Sequence, residues 1–265
     1  MITSLQNQRI KDVVKLLADA QERRKQNLFV IEGARELSLA ARAGFDIQKL
    51  FVCDDFLSGT GKELISKLNI SAERVSVEGF QKMAYRDKSD GIIAVSEPKQ
   101  FTLNTLRLSA NPFIIILEAV EKPGNLGAIL RTADAARVDV VVVCDPKTDI
   151  YNPNVIRSSI GCVFTKQVVA CTSEEALLWL KQKNIRIFAA ELIASDCYHE
   201  TDFTQPSAIV MGTEANGLTN YWLRNADHRI KIPMRGYIDS LNVSVSTAVI
   251  TFEAMRQRKL LISDS

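Results

Sequence analysis

The sequence predicts an α/β protein of two domains, the second built on a mostly parallel sheet with helices on both faces, and three observations carry that prediction. Short apolar runs alternate with amphipathic stretches from residue 27 onward, the pattern of strands and helices in turn. The runs at 113–117 and 138–144 are almost wholly apolar, as strands are when both faces of a sheet are covered. Around residues 98–112 the apolar signal drops and Lys99-Gln100 and Ser109-Ala110-Asn111-Pro112 take over, which marks a linker. The division expected is a smaller first domain at 1–98, a linker at 99–111 and a second domain at 112–265.

In the first domain, Ile10, Val13, Val14, Leu16 and Leu17 lie at helical spacing and lead into Gln21-Glu22-Arg23-Arg24-Lys25. One helix with an apolar face and a charged end is expected there, and that end suits a solvated face or an RNA contact equally well. Strands are expected at 28–31, 47–52 and 91–95, with helices at 35–43 and 62–68. The second domain reads as strand 113–120, helix 126–137, strand 138–144, helix 154–160, strand 163–169 and helix 174–182. Strands at 185–190, 208–212 and 229–232 and a last helix from about 245 to 261 complete it.

Composition narrows the functional classes. A chain of 265 residues, 46% hydrophobic and 24% charged, can bury one or two cores. With 33 Lys+Arg against 31 Asp+Glu the net charge is +2, so any basic surface must be local. The apolar runs fall far short of the roughly 20 residues that span a bilayer, and Met1-Ile2-Thr3 opens no signal region; a cytoplasmic protein without membrane contact is expected. Five cysteines with no C-x-x-C pair fit reduced thiols better than disulfides or zinc. His199 and His228 cannot supply H-E-x-x-H, and no metal is expected.

Three segments hold the residues that could carry chemistry. Glu118-Ala119-Val120 closes a strand and runs through Glu121-Lys122-Pro123-Gly124-Asn125-Leu126-Gly127 into a helix, which sets a turn at the carboxyl edge of the sheet, where ligands bind. Neither G-x-G-x-x-G nor G-x-x-x-x-G-K-[ST] is present, so dinucleotide and P-loop sites lose their main support. What the turn offers is Asn125-x-Gly127-x-x-x-Arg131, with Arg131 one helical turn beyond Gly127 on the same face. Alone, Asn125 is more simply a cap and Arg131 a surface residue. The second segment, Gly212-Thr213-Glu214-Ala215-Asn216-Gly217, sets a carboxylate between glycines that let backbone approach a ligand, although a turn capped by Asn216 explains it too. The third runs from Ile232-Pro233-Met234-Arg235-Gly236 to Ser240-Leu241-Asn242-Val243-Ser244. Its interleaved apolar and polar residues predict a buried loop whose backbone is satisfied internally.

Taken in order, Asn125-x-Gly127-x-x-x-Arg131, Gly212-x-Glu214-x-x-Gly217 and Ile232-Pro233-Met234-x-Gly236-x-x-x-Ser240-Leu241-Asn242-Val243-Ser244 closely resemble the three motifs of the SpoU, or TrmH-like, RNA ribose 2′-O-methyltransferases of the SPOUT class. The resemblance covers residues 112–261. Phe29-Val30-Ile31-Glu32-Gly33-x-Arg35 is similar to the opening strand and helix of the family's amino-terminal substrate-binding domain, itself like a small RNA-binding ribosomal-protein fold. The chain departs from the family where Glu121-Lys122 stands in place of a common Asp-Pro pair, where Arg137 follows Ala136 instead of Gly, and at Thr247, where a small Ala is usual.

The resemblance implies a trefoil-knotted second domain whose second and third motifs hold S-adenosylmethionine. Carried over by position, its cofactor contacts fall on Gly212, Ile232 and Leu241, with Met234 and Gly217 shaping the pocket. Its catalytic and RNA-positioning side chains fall on Asn125, Arg131, Glu214, Ser240 and Asn242, and Arg157 matches a further family arginine. Arg23, Arg24 and Lys25 are expected to add phosphate contacts. A homodimer is implied too, in keeping with Val249, Phe252, Met255, Leu260 and Leu261 along the last helix. The implied reaction is methyl transfer to a ribose 2′-hydroxyl of RNA, with ribosomal RNA the expected substrate. Transfer RNA, or a non-catalytic RNA-binding protein that keeps the fold, are the alternatives; the presence of every motif side chain speaks against the latter. Because a guanidinium stays charged in proteins, Arg131 is expected to stabilise the developing alkoxide rather than act as a base.

Overall fold

Asp19 splits the helix expected at the amino terminus. Its backbone is extended and its side chain accepts the Gln21 N–H, so α1 (Gln8–Ala18) ends and α2 (Ala20–Gln26) begins there, as an N-cap requires. The computed structural model describes residues 1–68, 70–86, 89–194 and 196–258. In it α2 turns Arg23 inward, 5% exposed, with its guanidinium paired to Asp149 and donating to the Leu16 carbonyl. A buried, paired guanidinium is not offered to phosphate, which corrects the expectation for Arg23; Arg24 and Lys25 stand exposed.

The chain continues through β1 (Phe29–Glu32), α3 (Ala34–Arg42), β2 (Ile47–Val52), α4 (Gly59–Lys67), β3 (Ala72–Arg74), α5 (Val77–Met83) and β4 (Ile92–Ser96). These strands form a mixed sheet in the order β1-β4-β2-β3. Ile10, Val13 and Leu16 of α1 share a core with Val30, Phe51, Phe80, Met83 and Ile93. Burial of such side chains, at about 25 cal/mol per Å² of apolar surface, is what holds short strands like these together.

After β5 (Phe113–Glu118), α6 (Pro123–Ala135) and β6 (Val140–Cys144), residues 149–165 group with the first compact unit, Met1–Lys99. This excursion carries α7 (Pro153–Ser158) and α8 (Cys162–Thr165). The Tyr151 and Phe164 rings stack on Phe29, with centroids 4.4 and 5.9 Å away. The strand expected at 163–169 is corrected accordingly: Val163 and Phe164 are buried in a helical turn, and pairing begins only with β7 (Gln167–Cys171). Apolar residues bound for an aromatic cluster look, in sequence, like the start of a strand.

The second unit, Gln100–Thr148 with Lys166–Ser265, is completed by α9 (Ser173–Gln182), β8 (Arg186–Ala190), β9 (Asp196–Cys197), β10 (Ser207–Met211), α10 (Asn220–Asn225), β11 (His228–Lys231) and α11 (Val243–Gln257). Among the described residues its seven strands run in the order β7-β6-β5-β10-β8-β11-β9, every pair parallel. The central strands are buried along their length, as a parallel sheet demands. Trp222 is fully buried and donates its indole N–H to Ser173 Oγ at 3.0 Å. α11 packs against α6 and buries Met255, expected on a subunit surface, within its own chain, while Phe252 stays 41% exposed. Leu260 and Leu261 lie outside the described residues. No described helix is long and apolar enough to cross a membrane.

Candidate active site

The carboxyl ends of β8, β10 and β11 open on a cleft of about 590 Å³, the edge at which parallel sheets take ligands. Two loops wall it. Residues 213–217, after β10, close on themselves: the Thr213 N–H donates to the Gly217 carbonyl at 3.1 Å and the Gly217 N–H returns to Thr213 at 3.0 Å. Gly217 turns the loop at φ +65°, a conformation that favours glycine. A Cβ on Gly212 would lie 2.2 Å from the Gly217 carbonyl carbon and oxygen, so position 212 admits no side chain while the loop is closed. Beyond it Glu118, buried at the end of β5, accepts the Thr219 N–H at 2.8 Å and the Thr219 hydroxyl at 2.6 Å, which anchors the loop to the sheet.

The segment between β11 and α11 differs from the buried loop expected. Ile232, Met234 and Leu241 are half-buried along the cleft, but Tyr237 and Ile238 stand in solvent. Among the described residues, 233–241 make no backbone–backbone hydrogen bond. Peptide groups without internal partners must stay with water, and that keeps the segment on the surface.

α6 begins earlier than the sequence pattern suggested. Pro123 takes the first helical position, for which its fixed φ is suited, and Lys122 is the N-cap, so Asn125 sits inside the first turn. Its amide donates to Glu214 Oε1 at 3.0 Å and its carbonyl accepts from Asn242 Nδ2 at 3.2 Å. Asn242 Nδ2 also donates to Glu214 Oε1, and its Oδ1 caps α11 by accepting the Ser244 N–H at 3.0 Å. Three side chains from three separate segments thus form one closed group. Lys122 pairs with the other oxygen of Glu214; with the Asn125 amide and the Val243 N–H it holds that carboxyl below the usual carboxylate range.

The structure gathers Gly212, Glu214, Gly217, Ile232, Met234, Ser240, Leu241 and Asn242 on this cleft. Ser240 is exposed, and its hydroxyl donates to Asp239 at 3.2 Å. Asn125 reaches the rim through Glu214 and Asn242. Arg131 is exposed on α6 while Gly127, one turn before it, is buried, and among the described residues its guanidinium has no hydrogen bond or ion pair. Arg157 lies on the surface of α7, in the first unit. Sequence reasoning missed Lys122, Glu118 and the smaller part of the lining supplied by Leu192 and Ile193, 60% and 91% exposed. The apolar pair just past the carboxyl end of β8 was the available signal.

An S-adenosylmethionine molecule fits this setting. The cleft lies within the roughly 300–1,000 Å³ of ligand pockets, Ile232, Met234 and Leu241 offer apolar walls, and the glycine at 212 lets the loop that lines the cleft close on itself. Among the described residues no group of three or more His, Cys, Asp or Glu side chains is arranged to hold a metal ion.

Known proteins share this architecture. Residues 112–252 match the SpoU rRNA Methylase family, and residues 7–94 match the MRM3-like substrate binding domain. The 23S rRNA (guanosine(2553)-2′-O)-methyltransferase RlmP of Bacillus subtilis (strain 168) is 29% identical over 95% of this chain and 97% of its own. A crystal structure of an RNA 2′-O ribose methyltransferase superposes with a TM-score of 0.86 at 39% identity, covering 97% of this chain and 99% of that one. The SpoU methyltransferase AviRb from Streptomyces viridochromogenes, in complex with the cofactor AdoMet, does so with a TM-score of 0.88 at 27% identity, covering 96% and 100%. With the family match spanning more than half of its length, this chain belongs to the SpoU rRNA methylase family.

Proposed function

We propose that this chain transfers a methyl group from S-adenosylmethionine to a ribose 2′-hydroxyl of 23S ribosomal RNA. The observation that carries this is the meeting of Asn125, Glu214 and Asn242 in one hydrogen-bonded group at the rim of a cofactor-sized cleft. Gly212, Gly217, Ile232, Met234 and Leu241 hold the cofactor, which when bound supplies an electrophilic sulfonium methyl. A ribose hydroxyl is a weak nucleophile: negative charge gathers on its oxygen as the O–H proton leaves for water, and would be used up as that oxygen takes the methyl group and the sulfur keeps the electron pair of the broken methyl–sulfur bond. Arg131, with no partner in its own chain among the described residues, orients the hydroxyl and stabilises that charge. Asn125, Glu214 and Asn242 present amide and carboxylate edges to the ribose, and Ser240 adds a hydroxyl. Arg24, Lys25 and Arg157 supply phosphate contacts from the first unit.

The same proposal includes a trefoil knot, supported by the insertion of β10 between β5 and β8 and by two late loops sharing one cleft. It includes a homodimer, supported by exposed Tyr237, Ile238, Val245 and Phe252, since such apolar side chains suit a second copy. A substrate-binding domain at 1–98, a linker at 99–111, a methyltransferase domain at 112–265 and action in the cytoplasm complete it. Mapping 2′-O-methyl groups in RNA from cells with and without the gene tests the proposal. Loss of a 23S methyl group is the expected result. Loss from transfer RNA alone would move the substrate, and unchanged methylation of all RNA would leave a binding protein.

A further inference from the structure

Lys122 caps α6 without a side-chain hydrogen bond to the helix backbone. Its ammonium goes instead to Glu214 Oε2, while Glu214 Oε1 takes the amides of Asn125 and Asn242. The carboxylate is divided, one oxygen to a cation and one to two amides, and it cannot rotate without giving up one set of charge-assisted bonds. We propose that Lys122 is a positioning residue of the methyl-transfer site: acting through Glu214, it fixes the orientation of the hydrogen-bonded group of Asn125, Glu214 and Asn242 that faces the ribose. This rests on the methyl-transfer function proposed above.

The groups that face Glu214 are Lys122 from the turn before α6, Asn125 from its first turn, and Asn242 with the Val243 N–H at the start of α11. Lys122 is the one charge among them. Its removal raises the Glu214 carboxyl toward its ordinary value, so protonation, and with it loss of the amide acceptor, sets in at higher pH than in the wild type. The Lys122 side chain is 70% exposed, so substitution there leaves the core untouched.

The test follows methyl incorporation into unmodified 23S rRNA against pH for the full chain and its Lys122→Met, Lys122→Arg and Lys122→Glu variants, beside a carbon-13 NMR titration of the Glu214 carboxyl. Lys122→Met lowers kcat about fivefold, the upper scale of an exposed ion pair. Its acid limb and the Glu214 titration both move to higher pH, and S-adenosylmethionine affinity by calorimetry stays unchanged. Lys122→Glu loses more, and Lys122→Arg keeps most of the activity and the wild-type pH profile. Wild-type kcat and an unmoved acid limb in Lys122→Met overturn the proposal. So does an equal loss in the Met and Arg variants with an unmoved Glu214 titration, which makes the residue merely structural. A wild-type protein that methylates no ribosomal RNA overturns the proposed function itself, and that first measurement tells the two failures apart.

Discussion

The two loops that wall the cleft are held in opposite ways. Residues 213–217 carry their shape in their own backbone, through the paired hydrogen bonds of Thr213 and Gly217 and the anchor of Thr219 on buried Glu118. Residues 233–241 have no such bonds among the described residues and hold Tyr237 and Ile238 out in solvent. A self-bonded loop is preorganised for a ligand, whereas an open one keeps conformational freedom that a ligand or a second copy must remove. The difference teaches that one wall of a site can be built by its own chain and the other completed from outside.

The largest expected effect falls on neither wall. Arg131→Ala lowers turnover on the order of 100-fold or more, as for a removed oxyanion donor, while S-adenosylmethionine affinity stays near normal. Arg131→Lys recovers little, because an ammonium lacks the planar fork. Methyl incorporation beside calorimetry checks this: near-normal turnover removes Arg131 from the mechanism, and lost cofactor affinity assigns it to the walls instead.

The glycines compare the walls directly. Gly212→Ala forces a Cβ onto Gly217 backbone, and opening the closed loop weakens cofactor binding about 10- to 100-fold, the scale of stored backbone strain. Gly236→Ala in the open wall meets nothing within 4 Å and changes affinity by less than about threefold, as for a substitution away from special features. Equal losses in a titration of both variants would erase the distinction. A smaller effect is expected at Tyr237, fully exposed in the open wall: Tyr237→Ala raises the dimer dissociation constant about fivefold, the scale of an ordinary interface aromatic. Sedimentation velocity showing a monomer for the wild type at micromolar concentration would mean that no second copy completes the open wall.

The parallel core was readable because its strands are nearly continuous apolar runs; β2 (Ile47–Val52) falls where alternation placed it, and β5, β6 and β10 start or end within a residue or two of expectation. The short β3 and α5 were not, since Ala72-Glu73-Arg74 carries no apolar signal and α5 is one side of a core shared with α1. The pattern also could not say which core an apolar residue joins. Tyr151 and Phe164 follow β6 in sequence yet stack on Phe29, so a cut at the linker would strip that aromatic cluster of its central ring. Arg23 shows the same limit for charge: a basic run does not reveal that a distant Asp149 takes one member inward. In the site, ordered motifs named Asn125, Glu214 and Asn242, but their contact arises only in the folded chain, which brings together segments about 30 to 120 residues apart. Lys122 escaped because a lysine before a helix-opening proline looks ordinary until its carboxylate partner is seen.

Asn242 joins two requirements in one amide. Its oxygen caps α11 and its nitrogen serves Glu214 and Asn125. Aspartate would keep the cap, typically about 1 kcal/mol, but would set a second carboxylate beside Glu214. Serine would also keep the cap, yet it lacks the length and the amide donor to span to both partners. Alanine would lose everything at once. The position therefore tolerates few substitutions: a change that spares the stability of the last helix still disturbs the site, and one that removes the amide oxygen frays the helix. Fold and chemistry here depend together on a single side chain.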